Sequence, residues 1–335
     1  MQQKNLLILH FQLKQRIQIN MTTYKDIHGT KVEVRDDDPA NPVNGQVWYN
    51  SGTLKGFKVN PAGAWATGGA TNTGRFNNGG LGIQTAAIVF GGEGAGAGLS
   101  AANELYNGTA FTEVNDLNSA RRLSGGAGST TAGLAFGGEP SPVSTHNESW
   151  DGTSWTELAD LNAGRAYGRS NGSQTAALYF GGEPNVASNE IWNGSGWTEV
   201  NNLNTGRGFL SGAGASSTAT IAFGGSSPDR ALTESFNGTS WTEVGDLNTA
   251  GKKQVGSGTY TSALSYGGSG DPDGTESWNG TAWTTGPNMS TGRGAACGGA
   301  GANNTSALAA GVNIPNKATE EFDIPGTSTV SFTVS

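Results

Sequence analysis

A glycine pair recurs along this chain at nearly constant spacing, each time behind a short apolar run. The pairs are Gly91-Gly92, Gly137-Gly138, Gly181-Gly182, Gly224-Gly225 and Gly267-Gly268, and successive first glycines lie 46, 44, 43 and 43 residues apart. One further step of 43 residues reaches Ala310 in the stretch ALAAGV, a degenerate sixth copy. A glutamate follows in each copy: Glu104, Glu148, Glu190, Glu234, Glu276 and Glu320. Two residues later comes an aromatic: Tyr106, Trp150, Trp192, Phe236, Trp278 and Phe322. Such a period restricts the chain to architectures that copy one supersecondary unit and stack it.

The third copy shows what the unit is. The stretch after Arg165 is rich in small residues, and TAALYFGG (Thr175 to Gly182) is a β-favouring run ended by glycines. NEIW and GWTEV then flank Asn193-Gly194, a pair suited to a tight hairpin because both residues tolerate positive φ. The turn returns at Asn107-Gly108, Asp151-Gly152, Asn237-Gly238 and Asn279-Gly280. A connector such as Asp160-Leu161-Asn162 leads to an arginine and the next unit. Four short antiparallel strands per repeat, without any helical period, predict an all-β propeller.

Composition fits many short strands with small residues between layers. Glycine supplies 55 residues of 335, and nine tryptophans recur at regular positions. A net charge of −8 is small for this length, and with periodic aromatics it argues against disorder. The acidic pI of about 4.9 disfavours a nucleic-acid partner, which needs clustered Lys and Arg. No apolar run approaches the length of a membrane span. Cys297 is the lone cysteine, so no intrachain disulfide forms. The apolar stretch from Asn5 to Phe11 is too short for a secretory signal, and no small-residue cleavage site follows it. Met21 starts a more ordinary opening, which makes residues 1–20 readable as an upstream extension.

The repeat resembles the kelch family, in which a strand ends in Gly-Gly, aromatics follow on the next two strands, and an arginine precedes the next blade. The third copy supplies Gly181-Gly182, Trp192, Trp197 and Arg207 in that order, and the resemblance covers residues 64–325. It implies a kelch-like β-propeller and a binding role. Closer spacing of the two aromatics and more uniform hairpins depart from typical cellular members and suggest a distinct branch. The outer-strand series runs Trp65, Phe111, Trp155, Trp197, Trp241 and Trp283, with Phe332 as a candidate seventh. Six blades result if the strand of Trp65 closes the ring. Seven result if residues 328–334 complete the last copy and the strands near 31–35, 46–50, 54–59 and 64–68 build an irregular extra blade. The strand inventory favours seven.

Arg75, Arg121, Arg165, Arg207 and Arg293 repeat once per unit, and the fifth unit breaks the series with Gly251 beside Lys252. One reading is a ring of charge around the channel. The other, favoured here, is an Arg–Glu pair that fixes each blade, since a group needed in every blade serves the scaffold. The glycine pairs suggest backbone crowding and lack the Lys-Ser/Thr of a phosphate loop. Asn-x-Ser/Thr sequons coincide mostly with hairpin turns, which explain them without glycans. His10, His28 and His146 are scattered, without metal-ligand spacing. No cofactor or metal is expected. Glu93, Glu139 and Glu183 follow three glycine pairs and leave a paired-carboxylate glycosidase open, yet as repeat positions they weigh against catalysis.

The domain reading is a lead-in over 1–35, a hairpin module over 36–63 and the propeller over 64–335. Residues Asp38 to Val59 resemble a module near the start of tailed-phage fibre and appendage proteins, with DP-x-NPV-x-GQ-x-WYN followed by a Lys-containing strand. That resemblance implies a virion protein that meets other virion proteins through its N-terminal region and presents its propeller to a host-surface glycan or protein. A homo-oligomer is compatible with it. The alternatives are a cytoplasmic kelch-type interaction module and a glycan-active propeller enzyme. Recognition belongs in loops that differ between copies. The connectors after each glycine pair differ most, and His146, Arg230 and Asp271 are the candidate binding residues there.

Overall fold

The computed structural model describes residues 33–35, 47–50, 53–58, 63–94, 98–140, 143–226, 228–294, 298–311, 317–324 and 328–332. The chain divides into two compact units, one of Ala62–Ile324 and one of Met1–Pro61 with Pro325–Ser335. In chain order, β1 (Glu33–Arg35), β2 (Val47–Asn50) and β3 (Thr53–Lys58) belong to the smaller unit, and β4 (Ala64–Thr67) opens the larger. Blade one is β5 (Gly79–Ile83), β6 (Ala86–Phe90), β7 (Asn103–Tyr106) and β8 (Phe111–Val114). Blade two is β9 (Gly125–Ser129), β10 (Ala132–Phe136), β11 (Asn147–Trp150) and β12 (Trp155–Glu157). Blade three is β13 (Arg169–Ser173), β14 (Ala176–Phe180), β15 (Asn189–Trp192) and β16 (Trp197–Val200). Blade four is β17 (Ser211–Ser216), β18 (Ala219–Phe223), β19 (Thr233–Phe236) and β20 (Trp241–Glu243). Blade five is β21 (Val255–Thr259), β22 (Ser262–Tyr266), β23 (Thr275–Trp278) and β24 (Trp283–Thr285). Blade six takes β25 (Gly298–Asn303), β26 (Ser306–Ala310) and β27 (Thr319–Asp323) together with β4, while β28 (Ser328–Phe332) joins the smaller unit.

Strands within each blade pair antiparallel, and the first strands of all six neighbour one another in a closed circle. The larger unit is therefore a six-bladed β-propeller. Its ring is closed by β4, where Trp65 stands opposite Phe322. The indole of Trp65 meets Tyr266 and Phe322 at 5.0 and 5.3 Å and donates to Thr275 Oγ1 at 2.9 Å. This corrects the seven-blade preference. Trp65 carries the wedge that blade six needs, so β4 is unavailable for an extra blade. In the smaller unit β1 runs parallel to β2, β2 and β3 form an antiparallel pair with Asn50 opposite Thr53, and β28 pairs antiparallel with β3. Phe332 lies opposite Leu54. The expected hairpin module falls partly outside the described residues, as do residues 1–20 and Cys297.

The core lies between blades. Leu134 and Phe136 of blade two pack with Tyr179, Trp192 and Trp197 of blade three in one cluster. In five of the six seams an outer-strand tryptophan reaches the second-strand aromatic of the preceding blade. The ring separations are 5.6 Å for Phe90–Trp155, 4.8 Å for Phe136–Trp197, 5.4 Å for Phe180–Trp241, 4.8 Å for Phe223–Trp283 and 5.0 Å for Tyr266–Trp65. The sixth seam sets Phe111 against Ala310, because the degenerate copy lacks an aromatic there. Small residues let the inner strands approach. A Cβ on Gly126 would come within 2.9 Å of the Gly80 carbonyl in the preceding blade.

The repeated polar residues meet within each blade. The glutamate is 0% exposed at Glu104 and Glu148, 1% at Glu190 and Glu234 and 2% at Glu320. Each carboxylate gathers the connector ahead of its own blade. Glu234 accepts the Asn204 N–H at 2.7 Å and the Thr205 N–H at 3.4 Å, and it pairs with Arg207 at 3.0 Å. Arg207 also donates to the carbonyls of Gly224 at 3.1 Å, Leu232 at 2.7 Å and Ala222 at 3.4 Å. The same pairing joins Arg75 to Glu104, Arg121 to Glu148, Arg165 to Glu190 and Arg293 to Glu320. The glycine pair then ties one blade to the next: the Gly138 N–H reaches the Arg165 carbonyl at 2.8 Å. Gly138 stands at φ 96° with the Arg122 carbonyl 2.6 Å from where a Cβ would lie, so only glycine serves.

Removing one partner of a buried ion pair strands the other charge. Arg207→Met should therefore cost about 3–5 kcal/mol of unfolding free energy. Arg207→Met combined with Glu234→Gln should recover part of that loss, and Arg122→Gln, at a partly exposed site, should cost less than Arg207→Met. Urea unfolding of the three variants checks the order.

Candidate functional site at the channel mouth

The connectors held by these carboxylates arrive at one end of the ring, beside the loops that follow the glycine pairs. Two residues beyond the repeat arginine position, each described connector turns left-handed. Asn77, Leu123, Tyr167, Phe209 and Lys253 have φ of 54°, 59°, 59°, 53° and 63°. Bulky residues rarely accept this conformation. A backbone circuit holds them in it. The N–H of Leu123 reaches the Asn77 carbonyl at 2.7 Å, Tyr167 reaches Leu123 at 3.3 Å, Phe209 reaches Tyr167 at 3.0 Å and Lys253 reaches Phe209 at 2.8 Å. Five blades are thus linked around the channel by residues whose backbone repeats and whose side chains do not.

Those side chains make a mixed aromatic and charged rim. The rings of Tyr167 and Phe209 lie 4.0 Å apart, tilted by 51°, and Lys253 Nζ sits 5.2 Å over Phe209. Arg122 bridges Glu139 at 2.7 Å and Glu93. Burial opposes its charge, but the bonds to Glu139 and Glu93 prevail and hold its pKa above the ordinary arginine value. Burial, and next the charge of Glu139, push the Tyr167 hydroxyl above its usual value. Leu123, Tyr167, Phe209 and Lys253 line a small recess of about 20 Å³ with Arg169.

Beneath the rim runs a channel of about 110 Å³, walled by small residues from all six first strands. Arg169 is its conspicuous side chain. It occupies the register held by Gly79 and Gly125 in blades one and two, opposite the last residue of the second strand. Its Nη2 donates to the Gln254 carbonyl at 2.9 Å, spanning from blade three to blade five. A ligand at the mouth would meet an aromatic platform, one lysine and two arginines held in ion pairs or hydrogen bonds.

The candidate residues of the variable loops lie at this same end, in blades two, four and five. His146 is exposed, and its carbonyl accepts from Arg121 Nη1 at 3.1 Å. Arg230 is strapped by backbone to Gly251, with N···O of 3.0 Å. Asp271 is exposed on the blade-five loop. Sequence reasoning missed Arg122, Tyr167, Arg169, Phe209 and Lys253. A signal existed: the position two residues past each repeat arginine changes identity in every copy. Among the described residues, no group of three or more His, Cys, Asp and Glu is placed to hold a metal ion. Nor is any helix there long and apolar enough to cross a membrane. No protein-family model matches the chain, and no curated protein matches it.

The left-handed ring makes a prediction about Phe209. Glycine accepts φ 53° freely, whereas a β-branched residue resists it. Phe209→Gly should stay within about 1 kcal/mol of the parent stability, and Phe209→Val should fall at least about 1 kcal/mol below Phe209→Gly, as measured by chemical denaturation.

Proposed function

We propose that this chain is a non-enzymatic binding scaffold of the kelch-like kind, a phage virion fibre or decoration protein whose channel-mouth face recognises a host-surface glycan or protein. The observation that carries the reading is a division of labour within each repeat. Five blades keep the Arg–Glu clamp, while the rim residues two positions beyond its arginine site differ in every described copy. Sameness builds the frame and difference builds recognition. Tyr167 and Phe209 offer the flat apolar surface on which a sugar ring stacks, and Arg122, Glu139 and Lys253 surround it with donors and acceptors.

Two features support the non-enzymatic reading. Glu93 and Glu139 are engaged by one arginine between them, an arrangement that positions charge rather than leaving an acid and a base facing a substrate. Five of the six repeated carboxylates are buried in Arg–Glu clamps. The virion setting rests on the resemblance over Asp38 to Val59, and the paired β2 and β3 are consistent with the hairpin that it implies.

The test is a glycan array probed with the labelled full chain, alongside an assay for released sugar. Selective binding is expected without product release, falling at least about tenfold with Phe209→Ala. Binding that ignores Phe209→Ala, or cleavage of a bound glycan, contradicts the reading. Mass spectrometry of purified particles should find the chain as a virion component; its absence there would remove the phage setting and leave a cellular interaction module.

A further inference from the structure

Five blades show how this fold binds a guanidinium, and the sixth instance of the site lacks one of its own. In blade four the Arg207 fork is held by the carbonyls of Ala222, Gly224 and Leu232 and by Glu234. The repeat places Ser265, Gly267, Gly274 and Glu276 at the same four positions of blade five. Gly251 stands where the arginine belongs. A cavity of about 30 Å³ opens there, and these four residues line it together with Gln254 and Asp271. That volume exceeds what one water needs. Glu276 still accepts the N–H groups of Asn248 and Thr249, at 2.8 and 2.9 Å, as its counterparts do. It is 8% exposed, against 0–2% for the carboxylates paired with arginine.

A buried glutamine borders the site. Gln254 is only 6% exposed, and its Oε1 has no hydrogen-bond partner. The residue lines the same cavity, with Oε1 on the side of Gly224 in blade four and Nε2 toward Gly251. An acceptor buried in this way costs stability until a donor reaches it. Neighbouring lysines are engaged elsewhere: Lys252 pairs with Asp229 at 2.9 Å, and Lys253 lies over Phe209. At the outer side of the cavity, burial and then Asp273 raise the Asp271 carboxyl above its ordinary value, a sign of crowded negative charge.

We propose that blade five binds a guanidinium group from outside the chain, held by Glu276, the carbonyls of Ser265, Gly267 and Gly274, and Asp271. The planar fork matches a carboxylate flanked by carbonyls, the arrangement used in the other blades. The group can come from a free guanidinium compound or from the arginine side chain of a partner.

Thermal unfolding of the full chain tests this with guanidinium chloride at low millimolar concentration, arginine amide, and sodium chloride at equal ionic strength. A ligand that binds only the folded state raises the melting temperature saturably. Such a rise is expected with guanidinium and not with sodium. A matching rise with arginine amide identifies a side chain as an admissible source, and a rise with guanidinium alone restricts the site to small cations; either supports the proposal. Gly251→Arg should melt above the parent and lose the response. Its Cβ would lie 2.6 Å from Gln254 Nε2, the end of a flexible side chain that can swing aside. Should that variant fail to fold, Asp271→Asn, an exposed change, should raise the half-saturating concentration roughly fivefold. No saturable response in the parent beyond that of sodium, or a response unchanged in these variants, overturns the proposal.

Discussion

Each propeller blade is organised around a glutamate carboxylate almost sealed from water, on which the connector that precedes the blade closes. A carboxylate in that position is costly to bury alone. Glu148 resolves the cost by accepting N–H groups from Asn118 and Ser119 and the guanidinium of Arg121, which in turn caps the His146 carbonyl. Polar groups of two chain segments, the connector at 118–121 and the stretch at 146–148, thus satisfy one another in one place. Apolar residues are scarce in this chain, at 34% of the sequence, so its blades cannot be specified by hydrophobic pattern alone. The clamp supplies a single geometry for the connector, while aromatic wedges and aliphatic residues pack the seams between blades.

That constraint reaches the surface. Because the connector is fixed at its asparagine and its arginine, the next residues have little freedom, and among the described residues they link five blades by a left-handed backbone relay along the channel. The relay tolerates any side chain that can endure positive φ, so the rim carries asparagine, leucine, tyrosine, phenylalanine and lysine at equivalent places. A rigid frame with interchangeable rim residues suits recognition. Blade five shows the same logic from the other side. Its glutamate and carbonyl acceptors persist without the arginine, so the frame survives the change while a cavity takes the place of a side chain.

Much of this was legible in the residues. Glycine pairs, Asn-Gly turns and spaced tryptophans define four-stranded units, because each answers a local backbone or packing demand. The strand of Trp65 was recognisable, yet its destination was not. Pairing between β4 and β27 joins residues more than 250 positions apart, and the STVSF strand competed for the same place on pattern alone. The rim was hidden for a different reason. Positive φ at Tyr167 and Phe209 arises from the inter-blade circuit rather than from any local preference of tyrosine or phenylalanine. Arg169 follows the repeat arginine by four residues with no local pattern to mark it, and its reach to Gln254 crosses from blade three to blade five.

Amide hydrogen exchange along the connectors tests the central claim most directly, since it reads the closing of each connector on its carboxylate. The connectors at 118–121, 162–165 and 204–207 should be strongly protected, and 248–251, which lacks the guanidinium, should open and exchange sooner. Equal protection in all four, or fastest exchange in a connector that carries its arginine, would contradict it.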